Sequence, residues 1–210
     1  MVKIKICGIT NLDDALAAVE AGADALGFNF YPRSPRYIGP AAARRVIEEM
    51  PPAVTCVGVF VNEDSPAAVA RLAENAGVAV VQLHGDETAS YCRALNGRRI
   101  IKALRVRHDF APEDALPFET EAILLDAYNP ALRGGTGERC DWESARRTRE
   151  LVPQLYLAGG LVPGNVAEAI VAVSPYAVDV CSGVESSPGR KDHALLRAFV
   201  AAARRAAAPS

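Results

Sequence analysis

Met-Val-Lys-Ile-Lys-Ile-Cys-Gly-Ile-Thr, residues 1–10, opens the chain with the alternation of a β-strand. Successive side chains on a strand point to opposite faces, so the apolar residues at positions 2, 4 and 6 share one face. The other face carries Lys3, Lys5 and Cys7, and Gly8 ends the strand. In α/β proteins with a parallel sheet, chemistry takes place at the carboxyl ends of the strands. Cys7 is therefore the first candidate for a reacting group.

Short apolar runs alternate with amphipathic stretches along the rest of the chain, with a period of about 25 residues. Asn11, Ser65 and Pro163 are signals for the starts of helices. Eight successive strand–helix units without a linker predict an α/β fold, a single-domain (βα)8 TIM barrel over 1–205 with a frayed tail at 206–210. The predicted strands lie at 1–10, 23–30, 54–61, 78–83, 99–104, 121–126, 154–158 and 176–181.

A doubly wound open sheet is the alternative α/β architecture. That fold does not require eight units of such even spacing, and the first strand–helix turn lacks the G-x-G-x-x-G fingerprint. The β-branched runs also argue against an all-helical repeat. The sequence therefore favours the closed barrel.

Composition narrows the class of partner and the compartment. The 210 residues are 50% hydrophobic, enough for a full core, and a net charge of -2 argues against nucleic acid or an anionic membrane surface as the main partner. The sequence has no signal-peptide pattern and no apolar stretch long enough to cross a bilayer. The five cysteines are Cys7, Cys56, Cys92, Cys140 and Cys181. They are scattered and form no C-x-x-C pair, which indicates free thiols, no zinc site and a reducing, cytoplasmic location.

In a barrel, the residues that follow the eight strands meet at one rim. Two glycine turns, Gly159-Gly160 and Ser182-Gly183, follow strands 7 and 8, where barrels often bind phosphate through backbone amides. Each glycine taken alone could simply end a strand, but two such turns in the last two units favour phosphate binding. The full rim is polar or glycine-rich: Cys7, Arg33, Arg36, Asn62, His84, Arg105, Asp126, Gly159, Gly160, Ser182 and Gly183.

Asp126 and Cys7 are the candidate acid and base. Asp126 ends the apolar run Ile-Leu-Leu-Asp, where partial desolvation raises the pKa of a carboxyl and suits it to general acid catalysis. A helix cap or a loop salt bridge is the alternative for Asp126, and an inert buried thiol is the alternative for Cys7. Lys5 lies on the same face one pleat below Cys7, and a nearby ammonium favours the thiolate. Asp179, on the inward face of strand 8, is the expected partner of Lys5.

Two further side chains are candidates for binding substrate. Arg36 lies in a loop stiffened by Pro32 and Pro35, and its guanidinium can bind a carboxylate through two contacts. A solvated surface arginine is the alternative. His84 is a candidate substrate contact, and a strand-end histidine satisfied by the backbone is the alternative.

Stretches in order along the whole chain resemble those of the phosphoribosylanthranilate isomerase family. Short pieces such as Ala-Gly-Gly also occur in other phosphate-binding barrels, but the ordered set is specific. The stretches are Lys5-Ile-Cys-Gly-Ile-Thr10, Gly27-Phe-Asn-Phe-Tyr-Pro-Arg-Ser-Pro-Arg-Tyr37, Val57-Gly-Val-Phe-Val-Asn62, Gln82-Leu-His-Gly85, Leu124-Leu-Asp126, Gly134-Gly-Thr-Gly137, Leu157-Ala-Gly-Gly-Leu161 and Ser182-Gly-Val-Glu-Ser-Ser-Pro-Gly-Arg-Lys-Asp192.

The resemblance implies an isomerase of tryptophan biosynthesis that acts on a small phosphosugar without cofactor or metal. Its reaction is the Amadori rearrangement of N-(5-phosphoribosyl)anthranilate to 1-(2-carboxyphenylamino)-1-deoxyribulose 5-phosphate. The resemblance also implies that Asp126 is the general acid, Cys7 the general base and Arg36 the ligand of the anthranilate carboxylate, with the glycine turns as the phosphate site. Separately, a monomer is expected, with a homodimer as the alternative.

Two residues depart from the pattern of the family. Cys140, in the loop after strand 6, stands where phenylalanine is usual, and Cys181 stands where serine is usual. The first is expected to alter packing under that loop, and the second to remove one hydroxyl contact beside the phosphate turn. All cysteines except Cys7 are assigned to packing.

Other functions on the same fold remain alternatives. The next enzyme of the pathway requires a catalytic lysine and glutamate at strand ends, and a sugar-phosphate epimerase requires histidine and carboxylate metal ligands. The three histidines, His84, His108 and His193, lack the spacing of such ligands. A barrel that binds phosphosugars without turnover has no use for a matched acid and base, so Cys7 and Asp126 argue against it.

Overall fold

The strands form a closed parallel barrel. The computed structural model describes residues 1–107, 109–126 and 142–207. Each strand pairs with the next along the chain, and the eighth pairs with the first. This confirms the predicted (βα)8 barrel and excludes the open sheet. The strands are β1 (Lys3–Cys7), β2 (Ala25–Asn29), β3 (Thr55–Phe60), β4 (Val80–Leu83), β5 (Arg99–Arg105), β6 (Ala122–Asp126), β7 (Leu155–Ala158) and β8 (Ala177–Val180).

Helices surround the barrel and connect its strands. The connection after β5 contains a short 3-10 helix, Pro112–Ala115, and a second 3-10 turn, Ser182–Val184, follows β8. A small hairpin of β9 (Glu185–Ser187) and β10 (Arg190–Lys191), which the sequence did not predict, comes next. The α-helices are α1 (Leu12–Ala21), α2 (Pro40–Ile47), α3 (Pro66–Ala76), α4 (Ala89–Arg93), α5 (Trp142–Leu151), α6 (Val166–Val173) and α7 (His193–Ala206).

The predicted helix starts are confirmed in two of three cases. The side chains of Asn11 and Ser65 accept hydrogen bonds from the backbone amides of Asp14 and Ala68, as N-caps do. The start at Pro163 is wrong, because α6 begins at Val166. Residue 163 lies instead within a turn, closed by the amide of residue 165 bonding the carbonyl oxygen of residue 162 at 3.1 Å.

The apolar residues pack in two layers. The face of β1 that carries Ile4 and Ile6 belongs to the large core between the strands and the helices. A smaller cluster fills the inside of the barrel, and Lys5, fully buried, projects into the same interior. Because this interior cluster consists mainly of small and branched residues, it leaves room for buried charges. Its members are Ala25, Val57, Val80, Ile101, Ala103, Ala122, Leu124 and Ala158.

Some sequence predictions fall on residues outside the described ranges. These are the loop after β6 with Cys140, the position of His108, and residues 208–210 of the predicted tail. The helix α7 extends to Ala206, the first residue of that predicted tail. Within the described ranges, no helix is long and apolar enough to span a membrane.

Candidate active site

Cys7 stands at the carboxyl end of β1, where the chain turns sharply at Gly8. Gly8 has a φ of +76°, a conformation that favours glycine. A Cβ added there would lie 2.8 Å from Cys181 Sγ and 2.9 Å from Arg36 Cδ. The missing side chain at Gly8 therefore leaves room for Arg36 and Cys181 beside the end of β1.

A buried ion pair lies directly beneath Cys7. Lys5 Nζ is 2.8 Å from Asp179 Oδ1, and the two residues are paired in register between β1 and β8. This confirms Asp179 as the partner of Lys5. Burial raises the pKa of Asp179 to about 6, so its carboxylate is ionised at neutral pH. Burial would lower the pKa of Lys5, but the charges of Asp179 and Cys7 outweigh it and raise that pKa.

The surroundings of Cys7 favour its thiolate. The neighbouring Cys181 thiol is the largest influence that lowers the pKa of Cys7. Burial opposes it, whereas the charges of Lys5, Lys191 and His84 lower the pKa further, and the result lies well below the usual range of a thiol. Cys181, which sequence analysis assigned to packing, also has its sulfur 3.8 Å from Glu185 Oε1.

Asp126 and His84 face each other on the opposite side of the barrel mouth. Asp126 ends β6 with one third of its side chain exposed, and Oδ2 lies 3.6 Å from His84 Nε2. The Gln82 amide nitrogen lies 2.8 Å from His84 Nδ1 and holds the ring with Nε2 toward Asp126. The ring of His84 is therefore held by a side chain, which differs from the backbone contact that was the alternative, and its contact with substrate stays a prediction.

The turn that carries His84 is fixed by a second buried ion pair. Glu87 and Lys102 are 2.8 Å apart, and both side chains are 2% exposed. Glu87 also accepts from the amides of Asn62 and Gly85, and Lys102 donates to the carbonyl oxygen of Gly85 at 2.7 Å. Sequence analysis missed this pair, although a lysine within the apolar run of β5 is the same kind of signal that identified Lys5.

Arg36 is held in place by Glu185 from the hairpin after β8. Its Nε lies 2.9 Å from Oε1 and its Nη2 lies 2.7 Å from Oε2 of that carboxylate, which is almost fully buried. Lys191 Nζ also contacts Glu185, at 3.0 Å. Sequence analysis missed Glu185 and Lys191 because nothing in the hairpin sequence shows which side chains turn inward.

The two glycine turns after β7 and β8 lie against each other. Gly159 and Gly160 both have positive φ, +91° and +65°, so their turn requires glycine. A Cβ added at Gly183 would collide with the carbonyl oxygen of Leu161, so the two backbones are in direct contact. Ser182 begins the 3-10 turn at this point. The structure therefore brings the two predicted phosphate turns into direct backbone contact.

The remaining rim candidates make local contacts. Arg33 lies over the ring of Tyr31, 5.0 Å from its centroid. Asn62 adopts a φ of +50° and its side chain accepts from the amide of Asp86, which is a turn-stabilising role. Arg105 Nη2 lies 3.5 Å from the carbonyl oxygen of His84. In the ranges that the structure covers, no three acidic, histidine or cysteine side chains are grouped as metal ligands would be.

Comparison with known proteins identifies relatives over almost the full chain. The family described as N-(5'phosphoribosyl)anthranilate (PRA) isomerase matches residues 4–202. A curated protein from Geobacter sp. (strain M21), named N-(5'-phosphoribosyl)anthranilate isomerase, is 57% identical over 208 residues, which cover 98% of this chain and 99% of that protein.

Solved structures with the same fold carry the same name. One is a phosphoribosyl anthranilate isomerase in complex with reduced 1-(o-carboxyphenylamino)-1-deoxyribulose 5-phosphate, with a TM-score of 0.88, 46% identity and coverage of 98% of this chain and 100% of that chain. Another is described as monomers generated from the dimeric enzyme of Thermotoga maritima, with a TM-score of 0.87, 44% identity and the same coverage.

Proposed function

Because the chain belongs to the N-(5'-phosphoribosyl)anthranilate isomerase family, we propose that Cys7 is the general base and Asp126 the general acid of its reaction. The protein catalyses the Amadori rearrangement of N-(5-phosphoribosyl)anthranilate to 1-(2-carboxyphenylamino)-1-deoxyribulose 5-phosphate in tryptophan biosynthesis. The observation that supports the assignment is the placement of His84, which lies 3.6 Å from Asp126 and close enough to Cys7 to lower the pKa of its thiol. The two groups therefore border one mouth.

The first step opens the sugar ring. Asp126 donates its proton to the furanose ring oxygen, and the bond between that oxygen and C1 breaks. The lone pair of the anthranilate nitrogen then forms a double bond to C1, giving a protonated imine. The partial exposure of Asp126 supports this role, since the carboxylate must regain a proton between turnovers.

The second step moves the double bond. The Cys7 thiolate removes the proton from C2, and the electron pair of that C–H bond neutralises the imine, giving an enolamine. Tautomerisation of the enolamine places a ketone at C2 and a proton at C1. Because the protonated imine makes the C2 proton acidic, a thiolate with a lowered pKa remains strong enough as a base.

Three further groups bind the substrate in this proposal. Arg36 binds the anthranilate carboxylate with the edge of its guanidinium that carries Nη1, since Nε and Nη2 contact Glu185. The phosphate binds to the turns formed by Gly159, Gly160, Ser182 and Gly183. His84 contacts the sugar near Asp126.

The test is turnover of freshly prepared N-(5-phosphoribosyl)anthranilate, followed by the loss of its fluorescence. We expect Cys7→Ala and Asp126→Asn each to lower kcat by about 10²–10⁴-fold. Cys56→Ala, which changes a buried thiol in the core, and Asp64→Asn, at an exposed loop position, are matched controls and should retain activity. Turnover that survives in Cys7→Ala would require another base. A wild-type protein that binds a phosphate ligand without turnover would be a binding protein.

We also propose a cytoplasmic location and a site that is complete within one chain, in a monomer or a homodimer. A catalytic thiolate requires a reducing compartment, and the described cysteines are all free. Every candidate catalytic group lies in the same chain. Light scattering after size exclusion measures the oligomeric state, and cell fractionation measures the location.

A further inference from the structure

We propose that Asp14 is a positioning residue for Arg36, which acts through the hairpin of β9 and β10 and contributes to the preference for a substrate that carries a carboxylate. The inference rests on the proposed function, in which Arg36 binds the anthranilate carboxylate. It adds to the groups that determine specificity a residue outside the barrel mouth, in the first turn of α1.

Asp14 anchors the hairpin through a backbone group. Its side chain is buried, and Oδ2 accepts a hydrogen bond from the backbone amide of Lys191 in β10 at 3.0 Å. Asn11 Nδ2 donates to the same oxygen at 2.7 Å, which fixes the orientation of the carboxylate. A buried amide that loses its acceptor is unfavourable, so β10 is expected to shift when this carboxylate is removed.

The anchored residue of β10 is also the one that holds Glu185. Lys191 lies opposite Glu185 in the hairpin, and its Nζ is 3.0 Å from Glu185 Oε1, with both side chains almost fully buried. Glu185 in turn accepts from Nε and Nη2 of Arg36. The contacts from Asp14 to Arg36 are therefore continuous, and each one is a hydrogen bond that involves a charged group.

The turn of the hairpin packs directly on the loop that carries Arg36. A Cβ added at Gly189 would lie 3.2 Å from the carbonyl oxygen of Pro35, so the two backbones are close. Thr10 Oγ1 donates to the carbonyl oxygen of Gly189 at 2.6 Å and forms a second anchor, from the segment that precedes α1. Because the hairpin is held at its turn as well as at β10, it has little freedom to move relative to Arg36.

The other carboxylate oxygen of Asp14 has a separate partner. Oδ1 lies 2.8 Å from Nε2 of His193, whose side chain is partly exposed. Burial would raise the pKa of Asp14, but the hydrogen bond from the Lys191 amide and those from Asn11 and His193 outweigh it and lower that pKa. Since the two oxygens serve different partners, variants of Asp14 and His193 separate the anchoring of the hairpin from the other contact.

The experiment measures steady-state kinetics of the intact enzyme on two substrates. One is N-(5-phosphoribosyl)anthranilate, and the other is N-(5-phosphoribosyl)aniline, which has the same phosphosugar and lacks the carboxylate. We expect Asp14→Ala to raise KM for the anthranilate about fivefold with a smaller change in kcat, and to change kcat/KM for the aniline by less than about twofold. Asp14→Asn, which keeps an oxygen acceptor for the Lys191 amide, should restore the KM of the wild type.

Two matched variants control for the loss of a carboxylate and of its other partner. Asp13→Ala removes an exposed carboxylate from the same turn of α1, and His193→Ala removes the partner of Oδ1. Both should keep the wild-type ratio of kcat/KM for the two substrates. The double variant Asp14→Ala/Glu185→Gln should show no lower ratio than Glu185→Gln alone, because both changes act on the same contact with Arg36.

Equal losses on the two substrates in Asp14→Ala would assign Asp14 to stability alone and overturn the proposal, as would an unchanged ratio. Should that variant not fold, Thr10→Val removes the second anchor and should raise KM for the anthranilate alone, and the absence of that effect would also overturn it. Arg36→Met tests the premise separately, since the preference for the anthranilate should disappear. A preference that persists would remove Arg36 as the carboxylate ligand, and this proposal with it.

Discussion

The two sides of the barrel mouth differ in how far their charged groups are buried. The base wall, formed by Lys5, Cys7, Asp179 and Cys181 on β1 and β8, is packed around a buried ion pair with side-chain exposures of 0% and 7%. The acid wall, formed by Gln82, His84 and Asp126 on β4 and β6, is open, with side-chain exposures of 25% for His84 and 33% for Asp126. One wall holds a charge away from water, and the other leaves a carboxyl in contact with it.

This difference matches the demands of the two proton transfers. A thiolate that removes a carbon-bound proton must be formed before substrate arrives, so its stabilising charges have to be fixed in advance. A carboxyl that gives up its proton in each turnover must regain one, which exposure to water permits. The same fold thus places a preorganised group and an exchanging group at one mouth. The predictions below test that division.

The largest effect is expected from Lys5→Met in the base wall. The change leaves the Asp179 charge buried without its partner, which should lower the free energy of unfolding by about 3–5 kcal/mol. It also removes a cation beside Cys7, so the pKa of the Cys7 thiol should rise and the acid limb of kcat/KM should move to higher pH. Urea unfolding and the pH profile measure the two effects.

Two matched variants sharpen the interpretation of Lys5→Met. Arg105→Met removes an exposed cation near the acid wall and should change stability by less than about 0.5 kcal/mol. The double variant Lys5→Met/Asp179→Leu removes both buried charges, so it should recover stability while the pKa of Cys7 stays high. If the double variant regained both the stability and the low pKa of Cys7, Lys5 would act on Cys7 only by keeping the barrel folded.

A smaller effect is expected from Glu185→Gln, which weakens the support of Arg36. The amide nitrogen that replaces one carboxylate oxygen cannot accept from Arg36, so the arginine loses one of its two contacts and its fixed orientation. We expect KM to rise about tenfold, with a smaller change in kcat, because a charge-assisted hydrogen bond contributes about 1.5–3 kcal/mol. Glu143→Gln, at an exposed position of α5, is the control. An unchanged KM would contradict the role of Glu185.

The same variant has a defined pH dependence. The hydrogen bonds from Arg36 and the charge of Lys191 overcome burial and lower the pKa of Glu185 below its ordinary value of 4.5. A carboxyl with a lowered pKa in the folded state contributes stability that is present above pH 4.5 and lost as the pH falls through the folded value. Glu185→Gln should therefore show a flatter loss of stability than the wild type below pH 4.5.

The smallest effect is expected from His84→Asn in the acid wall. The variant removes the ring nitrogen that faces Asp126 at 3.6 Å, and the open wall leaves water to replace it. We expect kcat/KM to fall by about tenfold or less, with little change in the melting temperature. His193→Asn breaks a histidine–aspartate contact outside the mouth, 2.8 Å from Asp14, and should leave kcat/KM unchanged. A loss of kcat as large as that of Asp126→Asn would place His84 in the proton transfer itself.

The fold and part of the base wall could be predicted from local patterns. Alternation along residues 1–10 separated Ile4 and Ile6 from Lys5 and Cys7, and the eight repeated units indicated a barrel that brings the last strand beside the first. From these two facts the Lys5–Asp179 pair follows. The sequence pattern was therefore sufficient to predict contacts that depend only on strand order and on the alternation of side chains.

The contacts that escaped prediction depend on tertiary placement. Glu185 and Lys191 turn inward only because a hairpin folds back over the mouth, and the sequence carries no signal for that direction. The positions of the Cys7 and Cys181 sulfurs likewise depend on the space left by Gly27 and Gly8. The roles of Cys7, Asp126 and Arg36 in the reaction remain predictions.

The Lys5–Asp179 pair also depends on the order in which the chain is synthesised. The two partners are 174 positions apart, on the first and last strands of the barrel. A ribosome therefore synthesises Cys7 long before Asp179. The groups that lower the pKa of Cys7 include His84 and Lys191, so the basic thiolate belongs to the closed ring of strands and not to a growing chain.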